Sequence, residues 1–167
     1  MSVSLRSLCP GDENYAAQWG QDREFCLSNG WEPGLPAGRI QAHWRGLITA
    51  PPSQFLRLGI VHNGVLVGYT DLADLVAVSG ELGVAIGESR LWGQGLGTAA
   101  GQLMLRHAFG VLRLERVWAE VHEPNRRSHA LMQRLGFVEI GREGTDLYRG
   151  QTVGLVQYKL NRPTGDQ

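Results

Sequence analysis

The hydrophobic pattern of the chain alternates between strand-like and helix-like segments. It predicts strands at residues 3–8, 55–61, 65–71, 81–86, 117–122, 138–142 and 153–160. It predicts helices at residues 11–19, 40–48, 98–112 and 126–135. Strands that alternate with helices in this way are typical of one α/β domain. We therefore predict a single domain over residues 1–160 and a flexible tail at residues 161–167.

Turn and capping residues support several of these boundaries. Asn63-Gly64 predicts a hairpin between two strands, because both residues accept the positive φ of a tight turn. Pro51-Pro52 ends the second helix, since proline cannot continue one. Asn125 is suited to cap the last helix, and Gly136 is suited to end it.

Composition and charge narrow the class of protein. The chain has 167 residues, 43% of them hydrophobic, which suits one domain with one core. Its 16 basic residues balance 16 acidic ones, so no overall field favours nucleic acid or an anionic membrane as a partner. No apolar run in the sequence is long enough to cross a bilayer. Cys9 and Cys26, with no secretion signal at residues 1–6, favour a reducing cytoplasm.

The strongest chemical signal is a series of alternate glycines before an apolar helix. Gly93, Gly95 and Gly97 keep side chains away from the backbone N–H groups of this loop. Such N–H groups at a helix N-terminus favour a phosphate, because they carry partial positive charge. The residues predicted to bind the pyrophosphate of a nucleotide-containing cofactor are Gly93, Gln94, Gly95, Leu96, Gly97 and Thr98.

A dinucleotide-binding loop is one alternative. Residues 95–100 fit G-x-G-x-x-A, which would make the protein an NAD(P)-dependent oxidoreductase. That fingerprint requires a strand that runs directly into the glycines. Residues 87–92 separate the predicted strand from Gly93, so the spacing favours another kind of loop. A loop for nucleoside triphosphates is excluded, since the sequence contains no G-x-x-x-x-G-K-S/T.

Several motifs in order resemble the GNAT superfamily of N-acetyltransferases. Residues 81–87 resemble its central strand. Residues 92–97 resemble its acyl-CoA loop, (Q/R)-x-x-G-x-(G/A), with Trp92 in the place of glutamine or arginine. Residues 125–128 and 135–137 resemble the N-x-x-S and L-G-F signature of the ribosomal-protein N-acetyltransferase branch. The resemblance spans residues 65–140. It implies an α/β fold with a mixed sheet of about seven strands, a splayed central pair and about four helices.

This resemblance also implies an activity and a cofactor. The family transfers an acetyl group from acetyl-CoA to a primary amine, by direct attack in a ternary complex. By resemblance, the backbone of Val84, Ala85 and Ile86 holds the thioester arm, and Asn125 binds the pantetheine part. No metal is expected to take part.

The catalytic residues are marked less clearly than the cofactor loop. Glu81 begins the central strand, where many family members carry a carboxylate that acts as a base through water. The alternative bases are Glu120, His122 and Asp71. Ser128 matches a serine near the sulfur and is the predicted acid. Met132 stands where many members place a tyrosine, so a non-catalytic acyl-CoA sensor is a second alternative function.

The amine acceptor stays open at this level. A protein N-terminus and small-molecule amines are both compatible with the motifs. In this family the N-terminal segments cover the side of the sheet where the acceptor binds. In this chain those segments carry Trp19, Trp31 and Trp44. Many relatives form homodimers through their C-terminal strands, so a homodimer is one possible assembly of this chain, and the oligomeric state stays open at this level.

Overall fold

A computed structural model describes residues 2–165, which contain eight strands, five helices and one 3₁₀ turn. The strands are β1 (Val3–Ser7), β2 (Leu56–His62), β3 (Val65–Ala73), β4 (Ser79–Ile86), β5 (Arg116–His122), β6 (Val138–Gly141), β7 (Thr145–Tyr148) and β8 (Gln151–Asn161). The helices are α1 (Glu13–Trp19), α2 (Arg23–Asn29), α3 (Ala37–Thr49), α4 (Leu96–Gly110) and α5 (Arg126–Leu135). The predicted α/β class and its order of elements are confirmed.

Two of these elements, α2 and β7, are additions to the predicted set. Helix α2 begins where the Asp22 side chain accepts a hydrogen bond from the Phe25 N–H at 3.1 Å, and ends at Gly30 with a φ of 71°. Strand β7 has four residues, all at least partly exposed, and pairs with the first residues of β8. A strand without a buried face gives no hydrophobic alternation for the sequence pattern to report.

The strands form one mixed sheet in the order β1-β2-β3-β4-β5-β8-β6, and β7 pairs with the other part of β8. Strands β2 and β3 form the predicted hairpin, with positive φ at Asn63 (50°) and Gly64 (77°). Positive φ at both central residues matches the twist of the flanking strands. The hairpin prediction is therefore correct.

The centre of the sheet is splayed. Strands β4 and β5 run parallel but pair only from Ser79 with Arg116 to Glu81 with Trp118. Beyond Glu81, the described part of β5 offers β4 no partner, although β3 still pairs with β4 as far as Ile86. The predicted splayed pair is present, and it leaves a wedge-shaped gap in the middle of the sheet.

Helices cover both faces of the sheet. Leu82 and Ala85 lie three residues apart on β4 and therefore face opposite sides. The core on the Leu82 side is closed by α4 and α5 and includes Met104, Val117 and Leu135. The core on the Ala85 side is closed by α1, α2 and α3 and includes Trp19, Trp44 and Tyr69. Trp19 and Trp44 are each only 1% exposed, so they are core residues.

The C-terminal strand extends slightly further than the predicted domain. Asn161 pairs with Arg116, and the Arg162 N–H donates to the Glu115 carbonyl at 2.7 Å. In the predicted tail, Asn161 thus belongs to the sheet and Arg162 is bonded to the residue before β5. Residues 166 and 167 lie outside the described part of the chain. Within residues 2–165, no helix has the length and apolar character needed to cross a bilayer.

Candidate active site

A cleft of about 410 Å³ lies where the gap in the sheet meets the glycine loop and the N-terminus of α5. We call it the central cleft. The predicted site residues that line it are Val84, Ala85, Ile86, Gly93, Gly95, Leu96, Gly97, Thr98, Asn125 and Ser128. Gln94 and Glu81 are the predicted site residues that do not line it. The fold thus brings strand, loop and helix residues from separate motifs to one place.

The glycine loop presents backbone rather than side chains to the central cleft. A 3₁₀ turn at Ser89–Leu91 separates β4 from the glycines, so the strand does not enter the loop directly as a dinucleotide fingerprint requires. Gly93 and Gly95 have φ values of 78° and 84°. Gly95 caps α4 without a side-chain hydrogen bond, so the first N–H groups of the helix remain available to an anion.

Gln94 can contribute only through its main chain. Its side-chain amide is exposed and donates to the Arg90 carbonyl at 3.5 Å, away from the central cleft. Arg90 itself forms an ion pair with Glu88.

Trp92 and Arg127 form one wall of the central cleft. The Trp92 indole N–H donates to the Ile86 carbonyl at 3.0 Å, and the Arg127 guanidinium carbon lies 3.4 Å from the centre of the indole ring. Partial burial lowers the pKa of Arg127 from its ordinary value, but an arginine side chain still remains a cation at neutral pH. Arg126 and Arg134 also line the cleft. The sequence motif identified Trp92 only as a departure, and it gave no reason to pair it with Arg127.

Asn125 and Ser128 occupy the first turn of α5. The Asn125 side-chain oxygen accepts a hydrogen bond from the Ser128 N–H at 3.2 Å, as the predicted cap requires. Among the described residues, the Asn125 side-chain NH₂ has no hydrogen-bond partner, so capping leaves it available to a ligand. Met132, at the tyrosine position of the family, is 4% exposed and packs in the core with α4.

Glu81 lies outside the central cleft but on the same side of β4 as Gly83 and Ala85. Burial, together with the nearby carboxylates of Glu120 and Asp74, raises the pKa of Glu81 to about 7. No described side chain forms a hydrogen bond or ion pair with the Glu81 carboxylate. Ala85 is four residues, or about 13 Å of strand, from Glu81, so a proton can pass between the two positions only through water.

The alternative bases are each engaged by other groups. The His122 Nε2–H donates to the Asp146 carboxylate at 2.8 Å, and the imidazole stacks on Tyr148 with ring centres 4.5 Å apart. Asp71 accepts two hydrogen bonds from Arg57. Glu120 is exposed and accepts from the Gln157 amide at 2.9 Å.

Among residues 2–165, no group of three metal-ligating side chains is placed to hold an ion.

Helix α2, absent from the prediction, contributes to the site as well. Ser28 and Asn29 line the central cleft opposite α5. Arg149, in the turn between β7 and β8, donates to both oxygens of Glu24 at 2.7 and 3.0 Å and to the Ser28 hydroxyl at 3.2 Å. This contact joins α2 to the C-terminal hairpin beside the cleft.

Comparison with known proteins connects this geometry to a family. Residues 2–138 match the family described as acetyltransferase (GNAT) domain. The chain is 33% identical over 108 residues to YdaF of Bacillus subtilis strain 168, which is provisionally named a ribosomal N-acetyltransferase. That match covers 63% of this chain and 58% of the length of YdaF.

Solved structures show the same fold at low identity. A spermidine N-acetyltransferase from Vibrio cholerae, crystallised with CoA and spermine, superposes with a TM-score of 0.81 at 19% identity, covering 96% of this chain and 95% of the other. A GNAT-family acetyltransferase from Bacillus anthracis superposes with a TM-score of 0.82 at 15% identity, covering 97% and 96%. At these identities the likeness concerns the fold.

Proposed function

Since this chain belongs to the GNAT family of acetyltransferases, we propose that it transfers an acetyl group from acetyl-CoA to a primary amine. One observation carries the proposal: the gap beside β4 opens into the glycine loop, so strand backbone and phosphate-binding N–H groups share one cleft. We propose direct attack in a ternary complex. Cys9 and Cys26 do not line the cleft, which supports a reaction without a cysteine nucleophile.

The residues of the central cleft suit acetyl-CoA, whose thioester supplies an activated acetyl group. The N–H groups of the loop from Gly93 to Thr98 would hold the pyrophosphate, and Arg127 adds a cation at the same wall. The backbone of β4 from Val84 to Ile86 has no partner among the described strands on the β5 side and would hold the extended arm, with the Ile86 carbonyl already bound by the Trp92 indole. The free amide of Asn125 would bind the same arm from the other side.

Glu81 is the proposed general base. A base works best when its pKa lies near the working pH, and the pKa of Glu81 is about 7. It would receive the ammonium proton of the acceptor through water, since it lies outside the central cleft. An N-terminal α-amine has a pKa of about 8 and a lysine amine about 10.4, so an α-amine loses its proton to this base more easily.

Ser128 is the proposed proton donor to the departing thiolate. Its hydroxyl lies on the wall of the central cleft, and its own N–H is already bound to Asn125. A thiol has a pKa of about 8.5, so the thiolate is a moderate leaving group and a weak donor is sufficient.

The acceptor is proposed as a protein N-terminus or a small-molecule amine. The name of YdaF suggests the first class, and the Vibrio cholerae spermidine enzyme suggests the second. We also propose a cytoplasmic location, because Cys9 is an exposed free thiol and Cys26 a buried one.

A homodimer is the proposed assembly. Strand β6 is an outer strand of the sheet and exposes Val138 and Ile140, while Leu147 of β7 is 67% exposed. Exposed apolar side chains on C-terminal strands favour pairing with a second copy. Light scattering at several concentrations measures the mass, and a monomer throughout would rule out the dimer.

The function is tested by ligand-dependent stability and then by turnover. We expect acetyl-CoA and CoA to raise the thermal midpoint, since a ligand at a hundredfold excess over its Kd stabilises by about 2.7 kcal/mol. NAD and NADP should have no effect. Acetylation of an amine panel then separates the enzyme from a non-catalytic sensor. Stabilisation by NAD or NADP instead of CoA would contradict the proposal, and CoA binding without acetylation of any amine would favour the sensor.

A further inference from the structure

A second cavity, of about 440 Å³, lies on the side of the sheet that α1, α2 and α3 cover, between the α2–α3 connection and β2. We call it the β2 cavity. It shares no lining residue with the central cleft. Its apolar walls are Trp31, Leu35, Ile40 and Trp44. Trp31 is held in place by its indole N–H, which donates to the Tyr69 hydroxyl at 3.1 Å. The cavity therefore has a fixed aromatic wall suited to an apolar group.

Arg57 supplies the floor of the β2 cavity. Its Nε and Nη2 donate to the two oxygens of Asp71 at 2.7 and 2.8 Å, and its guanidinium carbon lies 4.1 Å above the centre of the Tyr69 ring. The side chain is only 16% exposed. Among the described residues, Arg57 Nη1 has no hydrogen-bond partner. A rigid guanidinium with one unused donor edge is suited to bind an oxygen of a carboxylate or carbonyl.

The charged side chains around the β2 cavity leave one hydrogen-bond donor free. Arg39 and His43 lie four residues apart on α3, both exposed, and Glu32 is the one acidic residue that lines the cavity. Asp71 compensates the charge of Arg57, and Glu32 balances the charge of Arg39. The preference for a carboxylate therefore comes from the free Nη1 edge of Arg57, because a guanidinium only donates hydrogen bonds, and a carboxylate accepts them whereas an ammonium group does not.

The β2 cavity lies in line with the proposed reaction centre. Arg57, Asp71 and Gly83 are successive partners across β2, β3 and β4, so the cavity floor is two strand spacings, about 10 Å, from Gly83. A Cβ at Gly83 would contact only Asp71, at 3.8 Å, so space remains beside Gly83 on this face. Gly83 itself lies between Glu81 and Ala85 on the same face of β4.

We propose that the β2 cavity binds the anionic end of the acceptor, and this inference rests on the proposed acetyl transfer. The acceptor class is then an amine with an apolar portion and a carboxylate about 10 Å away, the length of two or three extended residues. A short peptide with a free C-terminus fits these requirements. A polyamine lacks the carboxylate.

The test is calorimetric titration of the CoA-saturated protein with alanyl-alanyl-phenylalanine, with its C-terminal amide and with spermidine. We expect the free acid to bind at least tenfold more tightly than the amide. A negative charge introduced by Arg39→Glu or His43→Glu should reduce this preference severalfold, because both side chains lie on the rim. Arg106→Glu is the matched control, since Arg106 is exposed on α4, away from the cavity, and should leave the preference unchanged.

Equal binding of acid and amide, or tightest binding of spermidine, would overturn the inference. Heat of binding does not depend on turnover, so the two proposals can fail separately. A protein that acetylates amines but does not distinguish acid from amide keeps its proposed function and loses this inference. Selective binding of the acid without acetylation would support the β2 cavity and refute the proposed function.

Discussion

Replacement of Glu81 by glutamine should lower activity and raise stability at the same time. Glutamine keeps the shape of the side chain but cannot accept a proton from the acceptor. Loss of a general base typically lowers kcat by about 10²- to 10⁴-fold. In the unchanged protein, kcat/KM should rise about tenfold per pH unit up to the Glu81 pKa of about 7. This rise of kcat/KM with pH should be absent from Glu81→Gln.

The gain in stability follows from the same pKa. Folding raises the pKa of Glu81 from 4.5 to about 7, so the native state disfavours the charged form. Glu81 is neutral in both states below pH 4.5 and costs nothing there. The free-energy cost of the charged carboxylate in the native state grows between pH 4.5 and about pH 7 and is complete above about pH 7. At about 1.4 kcal/mol per pKa unit, the upper limit of this cost to stability is about 3 kcal/mol. Solvent screening of this partly exposed side chain reduces the cost to about 1–2 kcal/mol.

Urea unfolding of both proteins at pH 4 and pH 8 measures this difference. Glu81→Gln should be more stable by about 1–2 kcal/mol at pH 8 and equal at pH 4. Glu120→Gln is the control, because it removes a carboxylate that raises the pKa of Glu81 and leaves the base in place. The pH at which kcat/KM stops rising should be lower in Glu120→Gln than in the unchanged protein. Wild-type turnover in Glu81→Gln, or a loss of stability at pH 8, would refute the reasoning.

Three further substitutions test the central cleft. Gly95→Val should weaken CoA binding at least tenfold by calorimetry, because Gly95 has a φ of 84°, a conformation that costs other residues about 1–2 kcal/mol. Gly110→Ala, in open space on α4, is the control. Retained affinity in Gly95→Val would argue against the loop assignment. Ser128→Ala should lower kcat by about tenfold to a hundredfold with unchanged CoA affinity, whereas an unchanged rate would make Ser128 structural. Arg127→Gln should raise the Kd for CoA about tenfold and flatten its dependence on salt, since a charged contact to phosphate is lost; the same Kd as in Arg106→Gln would show that Arg127 does not contact the ligand.

Local signals in the sequence were sufficient for much of the fold. The hairpin at Asn63-Gly64 and the cap at Asn125 depend on residues that are neighbours in the chain, and both were predicted. The glycine loop was found for the same reason, because Gly93, Gly95 and Gly97 stand together. The loop residues, Val84–Ile86, Asn125 and Ser128 then meet because β4, α4 and α5 fold in the family order.

The remaining features depend on residues far apart in the chain. Helix α2 has only seven residues and ends at Asn29, where a segment rich in turn formers begins, so its helical signal is weak. The stack of Arg127 on Trp92 and the raised pKa of Glu81 both require knowledge of tertiary contacts. The ion pair of Arg57 with Asp71 likewise joins two strands, and no spacing rule identifies either residue as part of a cavity floor.

The gap beside β4 makes an interior strand behave as an edge strand. A strand with unpaired N–H and C=O groups is a template that another chain can extend, and proteins normally shield such edges. Here the template lies inside an eight-stranded sheet, in a cleft walled by the glycine loop and α5. A slender chain with amides of its own would suit this pairing. Folding thus leaves the sheet unfinished at one position, where the arm of the proposed acetyl-CoA would serve as the missing strand.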